Sequence, residues 1–68
     1  MVNVNKLKAA MVREGYTQPR FAEALNMSIN TLNAKVNGKT KISTDEAKLM
    51  CNVLNIKDDV EKVDIFLA

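Results

Sequence analysis

The chain has no histidine and no tryptophan, one cysteine, one proline, two glycines, one tyrosine and two phenylalanines. Each shortage removes a class of function. Without histidine, both the usual general base and the commonest metal ligand are missing. Ser28, Ser43 and Cys51 have no activating partner in the pattern around them. A single thiol forbids an internal disulfide and has no second cysteine with which to share a metal. Two isolated glycines, Gly15 and Gly38, do not make a phosphate-cradling loop. No apolar run approaches the ~20 residues of a membrane span. The opening MVNVNKLKAAMVREG is amphipathic and has no signal-peptide core with a cleavage site. These absences argue against an enzyme and against a membrane protein. They lead to the expectation of no cofactor, no metal, and a cytoplasmic location in which Cys51 stays reduced.

What remains is a 68-residue chain, 47% hydrophobic and 26% charged, expected to fold as one domain over residues 1–68. A chain of this size buries only about 60% of its unfolded surface. Its stability must therefore come from close helix packing or from a second copy. Charge is unevenly spread. Residues 1–41 hold seven Lys/Arg against Glu14 and Glu23, a balance of +5, whereas residues 42–68 hold three Lys against six acids, a balance of −3. A basic half of this kind suits a polyanion.

The punctuation is helical throughout, with no stretch of period-two alternation, and it divides the chain into five segments. In the first, about residues 3–14, Val4, Leu7, Ala10 and Met11 share a face, and Gly15 supplies the left-handed stop. The second is capped by Thr17, carries Pro19 in its first turn and ends near Leu25. Tyr16 and Phe21 are spaced as a hydrophobic staple across its start. Asn26 follows as the residue most tolerant of positive φ after glycine. The third starts at Ser28, keeps Leu32 and Val36 on its apolar stripe, repeats the staple with Met27 and Leu32, and closes at Asn37-Gly38. The fourth opens on Ser43 with Glu46 three residues on, a capping box, and Ile42 and Ala47 form a third staple. Its stripe of Ala47, Met50, Cys51 and Leu54, widened by Leu49 and Val53, predicts the most buried helix, ending at Asn55. The fifth opens on Asp58 with Glu61 at the matching capping position. Val60, Val63, Phe66 and Leu67 form its expected apolar face, with Ile65 off that stripe.

Residues 17–38, TQPRFAEALNMSINTLNAKVNG, carry the functional signal. They read as two short amphipathic helices joined by a tight turn, with small Ala22 where the axes come closest. A helix held up from behind by another fits the major groove of B-DNA. With Leu32 and Val36 inward, Ile29, Asn30, Asn33, Ala34 and Asn37 lie on or near the outward side. Asn can pair bidentately with adenine and Ile can rest on a thymine methyl. The third helix holds no Arg or Gln, and Lys35 is its one charge. The loop after it, KTKI (residues 39–42), is basic.

Extended to residues 17–41, TQPRFAEALNMSINTLNAKVNGKTK, the pattern resembles the XRE-type helix-turn-helix family of lambdoid phage repressors and Cro proteins. The strings KVNGKTKIS and LNIKDDVEKVDIFLA are closer still to small phage and prophage Cro-like regulators of low-GC Gram-positive bacteria. The resemblance implies an all-α, five-helix, lambda-repressor-like DNA-binding domain with its helix-turn-helix at about residues 17–37. It implies base-reading positions at Ile29, Asn30 and Ala34, with Asn33 adjacent. It implies phosphate contacts at Gln18, Ser28, Asn37, Lys39, Thr40 and Lys41. Arg20 and the lysines of the first helix would add nonspecific attraction. Two departures from the family pattern stand out. Asn26 occupies the turn position usually held by Gly, and Lys35-Val36 replaces the usual apolar-Glu pair before Asn-Gly, so that a Met11–Val36 contact is expected where family members have an ion pair.

The implied function is repression of transcription from a palindromic operator on double-stranded DNA by a homodimer, weak or completed on DNA, joined through Ile65, Phe66 and Leu67 in the acidic half. A rival reading uses the same fold as a protein-interaction module, an antitoxin or antirepressor subunit, but such a protein has no need of the basic loop that this chain keeps. An excision or replication accessory factor would share the DNA-binding chemistry.

Overall fold

A computed structural model describes residues 2–67. It contains five helices: α1 (Val4–Arg13), α2 (Gln18–Ala24), α3 (Ile29–Val36), α4 (Thr44–Val53) and α5 (Asp59–Phe66). All five begin on a side-chain cap. Asn3, Thr17, Ser28, Ser43 and Asp58 each sit in extended backbone and accept a hydrogen bond from an N–H of the first turn. At Ser43 the capping box is complete: Glu46 N–H donates to Ser43 Oγ (3.1 Å) and Ser43 N–H donates back to Glu46 Oε1 (2.9 Å).

The ends of α1 to α4 share one device. Gly15, Asn26, Gly38 and Asn55 all take positive φ, from 56° to 76°. The residue after each donates its N–H five residues back: Tyr16 to Met11, Met27 to Ala22, Lys39 to Ala34, and Ile56 to Cys51, at 2.8–2.9 Å. This is the Schellman arrangement, which satisfies orphan carbonyls and normally adds an apolar contact from the residue after the left-handed one. Tyr16 and Met27 pack against the core, and Ile56 lies inside it at 2% exposure. Lys39 departs from the pattern, being polar and exposed.

Among the described residues, thirteen form the core: Leu7, Ala10 and Met11 from α1, Phe21, Ala22 and Leu25 from α2 and its end, Leu32 and Val36 from α3, Met50, Cys51 and Leu54 from α4 and its end, then Ile56 and Ile65. The most extensive helix–helix contact joins α2 to α3; α1 packs on α5 and on α3. The Tyr16 and Phe21 rings stand 5.7 Å apart across the start of α2, as the staple spacing requires. Met11 on α1 and Val36 on α3 are both buried, and these two helices pack together. Cys51 is a free thiol whose pKa burial pushes up, which disfavours the thiolate.

Two expectations about the second half fail. First, α4 is not the most buried helix. Leu49 is exposed, Val53 and Ala47 are half-buried, and the seam is confined to Met50, Cys51 and the capping Leu54. Second, α5 is rotated relative to its apolar stripe. Ile65 is 1% exposed, whereas Val60, Val63 and Leu67 are 67%, 50% and 74% exposed. The face of α5 that meets α1 is set by pairing. Arg13 Nη1 donates to Glu61 Oε2 at 2.6 Å, Lys6 lies 3.5 Å from Asp64, and Asn3 N–H donates to the Ile65 carbonyl at 2.6 Å. Exposed ion pairs contribute about 0–1 kcal/mol each, so burial of Ile65 is the main gain and the charges select the orientation. Glu61 is thereby drawn to Arg13 instead of completing a capping box, and Ile65 cannot belong to a surface for a second copy.

Candidate nucleic-acid interface

Helix α3 stands on Leu32 and Val36, both 0% exposed. Its first turn is the part open to solvent. Ile29 is 43% exposed, and Ser28, Asn30 and Thr31 are exposed. The Ser28 hydroxyl is fully engaged: it accepts from Thr31 N–H (3.1 Å) and donates to Thr31 Oγ1 (2.9 Å). Asn33 and Ala34, one turn on, are only half-exposed. Asn33 Oδ1 is enclosed, with no hydrogen-bond donor against it among the described residues. At the helix end Asn37 is exposed, and at the start of α2 Gln18 is half-buried. The outward face drawn from spacing is therefore graded: open at Ile29, Asn30 and Asn37, partly closed at Asn33 and Ala34.

The basic loop is bound tightly to the end of α3. The Ala34 carbonyl accepts from both Lys39 N–H (2.8 Å) and Thr40 N–H (3.2 Å). Lys35 reaches across to donate to the Lys41 carbonyl (2.9 Å) and to pair with Glu46 Oε1 (3.0 Å). Its side chain is 14% exposed. The one charge on α3 thus acts as a brace linking α3, the loop and the start of α4. Sequence reasoning missed this, although Lys35 and Glu46 both lie beside the loop they tie. The braced loop holds Lys39, Thr40 and Lys41 exposed beside α3, and neither lysine has an ion-pair partner among the described residues. The lysines of α1 are less free than expected. Lys6 pairs with Asp64, while Lys8 and Arg20 are exposed and form no ion pair among the described residues.

The bond from Ser43 N–H, then the Lys35 ammonium, hold the Glu46 carboxyl below its ordinary value of 4.5. A lowered folded-state pKa means that ionised Glu46 contributes stability above the unfolded value and loses it as pH falls through the lowered one. Glu46→Gln keeps an acceptor for Ser43 N–H but removes the charge. Its deficit against the parent chain is expected to be about 1 kcal/mol at neutral pH and to close as the pH drops below 4.5. Urea melts across pH measure this, and a deficit constant from neutral to acid pH would contradict it.

The family model described as Helix-turn-helix matches residues 7–60, from the first core residue of α1 into α5. The chain belongs to the XRE-type helix-turn-helix family. No curated protein and no solved structure matches it. The helix-turn-helix of this family is a DNA-binding module of transcription regulators. In this member it comprises α2, the turn at Asn26 and α3, with the braced loop following. Among the described residues no helix is long and apolar enough to cross a membrane.

Proposed function

We propose that this helix-turn-helix protein is a sequence-specific transcriptional repressor, a Cro-like regulator of phage or prophage origin, that lays α3 in the major groove of a palindromic operator. The observation that carries this reading is an α3 whose first turn is exposed and whose far end is followed by an exposed loop bearing two lysines without an ion-pair partner among the described residues. Asn30 would pair with an adenine edge and Ile29 would cover a thymine methyl, with Asn33 and Ala34 approaching bases as α3 seats. Lys39, Thr40, Lys41 and Asn37 would hold phosphates on one side, and Gln18 and the backbone at Ser28 on the other, where helix N-termini favour anions. With the operator occupied, polymerase or a rival regulator is excluded.

One α3 reads too few base pairs to select a site in a genome, so two copies are required, on half-sites about 10 base pairs apart. With Ile65 consumed in the core, pairing falls to other exposed apolar side chains, among them Val12, Leu49 and Val60. Selection of bound duplexes from a random pool tests the reading: a two-fold symmetric consensus is expected, and recovery of no consensus would refute it. Sedimentation of the chain with the selected duplex should give two copies per duplex; one copy at saturation would rule out the paired arrangement.

Lys41→Ala should weaken operator and random DNA by the same factor and reduce the slope of log affinity against log salt by about 0.9, the value for one phosphate. Its backbone carbonyl, which the Lys35 brace uses, is untouched. An unchanged slope would remove Lys41 from the phosphate contacts.

A further inference from the structure

Most of the apolar stripe of α5 gathers on one side of the molecule, with Phe66 packing partly against the core and Val60 lying apart. Val63, Phe66 and Leu67 form one wall of a groove of about 960 Å³, whose other wall is built by α4 and the loop before it, with Ile42, Ala47 and Cys51 along it. Lys39, Lys41, Lys48 and Lys62 also line this groove, and no Asp or Glu does, in a chain that has eight acids. None of the four lysines has an ion-pair partner among the described residues. An apolar channel edged by unneutralised cations has a defined complement: apolar side chains at helical spacing flanked by carboxylates.

We propose that this groove seats an acidic amphipathic helix of a partner protein. A second copy does not suit it, because a two-fold pairing through the groove brings one lysine edge against the other. A phosphate backbone does not suit it either, because it leaves Val63, Phe66 and Leu67 uncovered. Lys39 and Lys41 belong both to the groove and to the loop beside α3, so a seated acidic helix takes two cations from DNA. This last consequence rests on the proposed repressor reading; the docking itself does not. The partner's helix and DNA then compete, each weakening the other by the same factor.

The test uses three peptides of roughly 18 residues: one with Leu at i, i+3, i+4 and i+7 flanked by Glu, its Lys-flanked counterpart, and the Glu peptide in scrambled order. The Glu-flanked helix is expected to bind at least about tenfold tighter than either control, with NMR shifts at Ile42, Ala47, Cys51, Val63 and Phe66. Lys48→Glu combined with Lys62→Glu should reduce that binding at least about tenfold; the four units of charge also lower DNA affinity, but by the same factor on operator and random duplex, so that their ratio stays within about twofold. In the parent chain, saturating Glu-flanked peptide should weaken DNA binding. Equal binding of the three peptides, shifts outside the groove, or no effect of the paired Lys→Glu changes would overturn the proposal. So would groove signals that move with chain concentration alone, which would assign the groove to a second copy. Peptide binding at the groove without competition would leave the docking standing and count against the role of Lys39 and Lys41 at DNA.

Discussion

A chain carrying Phe21→Ala is expected to lose a large part of its folding stability. Phe21 is 0% exposed and is the largest of the fully buried side chains. It stands at the junction of three local devices: the Thr17 cap, the staple with Tyr16, and the close packing of α2 on α3 around Ala22. Truncating a buried Phe to Ala typically costs 3–5 kcal/mol, roughly, in transfer energy and cavity formation. At about 0.05–0.15 kcal/mol per residue, a domain of this size has only about 3–10 kcal/mol to lose. No disulfide makes up the loss, since Cys51 is the one cysteine. The helices cannot survive separately, because isolated helices shorter than about 12 residues are marginal in water and the longest here has 10. Thermal melting followed by circular dichroism should show the midpoint lowered by on the order of 20 °C, or no folded baseline at all. A midpoint within about 5 °C of the parent would mean that α2 is not the keystone of the core.

The second large effect is on recognition. Asn30→Ala should weaken binding to the selected operator by ~1–3 kcal/mol, about 5- to 150-fold, while binding to random duplex stays nearly constant. Asn30 is exposed, and its side chain forms no hydrogen bond to another described residue, so no structural contact is lost with it. Alanine is also the better helix former, so the change does not threaten α3. The two-duplex comparison separates base contact from everything else: equal loss on both duplexes would move Asn30 from base reading to general affinity.

Most of the helical framework was legible in the sequence because it is written locally. Thr17, Ser28, Ser43 and Asp58 mark helix starts through bonds to their own first turns, and Gly15, Asn26, Gly38 and Asn55 mark ends through their tolerance of positive φ. Reading failed where a choice depended on a distant partner. The stripe of α5 named Val63 and Leu67, but Arg13 and Lys6 on α1 hold Glu61 and Asp64, and that pairing turns Ile65 inward instead. The signal existed as two acids spaced to meet two bases, but it belongs to a pair of helices and not to one hydrophobic pattern. Ile56 is hidden in the sequence for the opposite reason. It follows a left-handed Asn in a connection that reads as loop, yet the Schellman arrangement drives it into the core. At the candidate interface, Ile29 and Asn30 were readable from helical spacing against Leu32 and Val36. The partial closure of Asn33 and Ala34, and the brace from Lys35 to Glu46, were not, because both depend on how the following loop folds back.

Entry of α3 into the major groove leaves a mark on each residue of that helix. Titration of labelled protein with a selected duplex, followed through backbone amide NMR signals, tests it most directly. Signals of residues 28–37 should shift together with those of residues 39–41. Shifts confined to other surfaces, with residues 28–37 unmoved at saturating duplex, would contradict it.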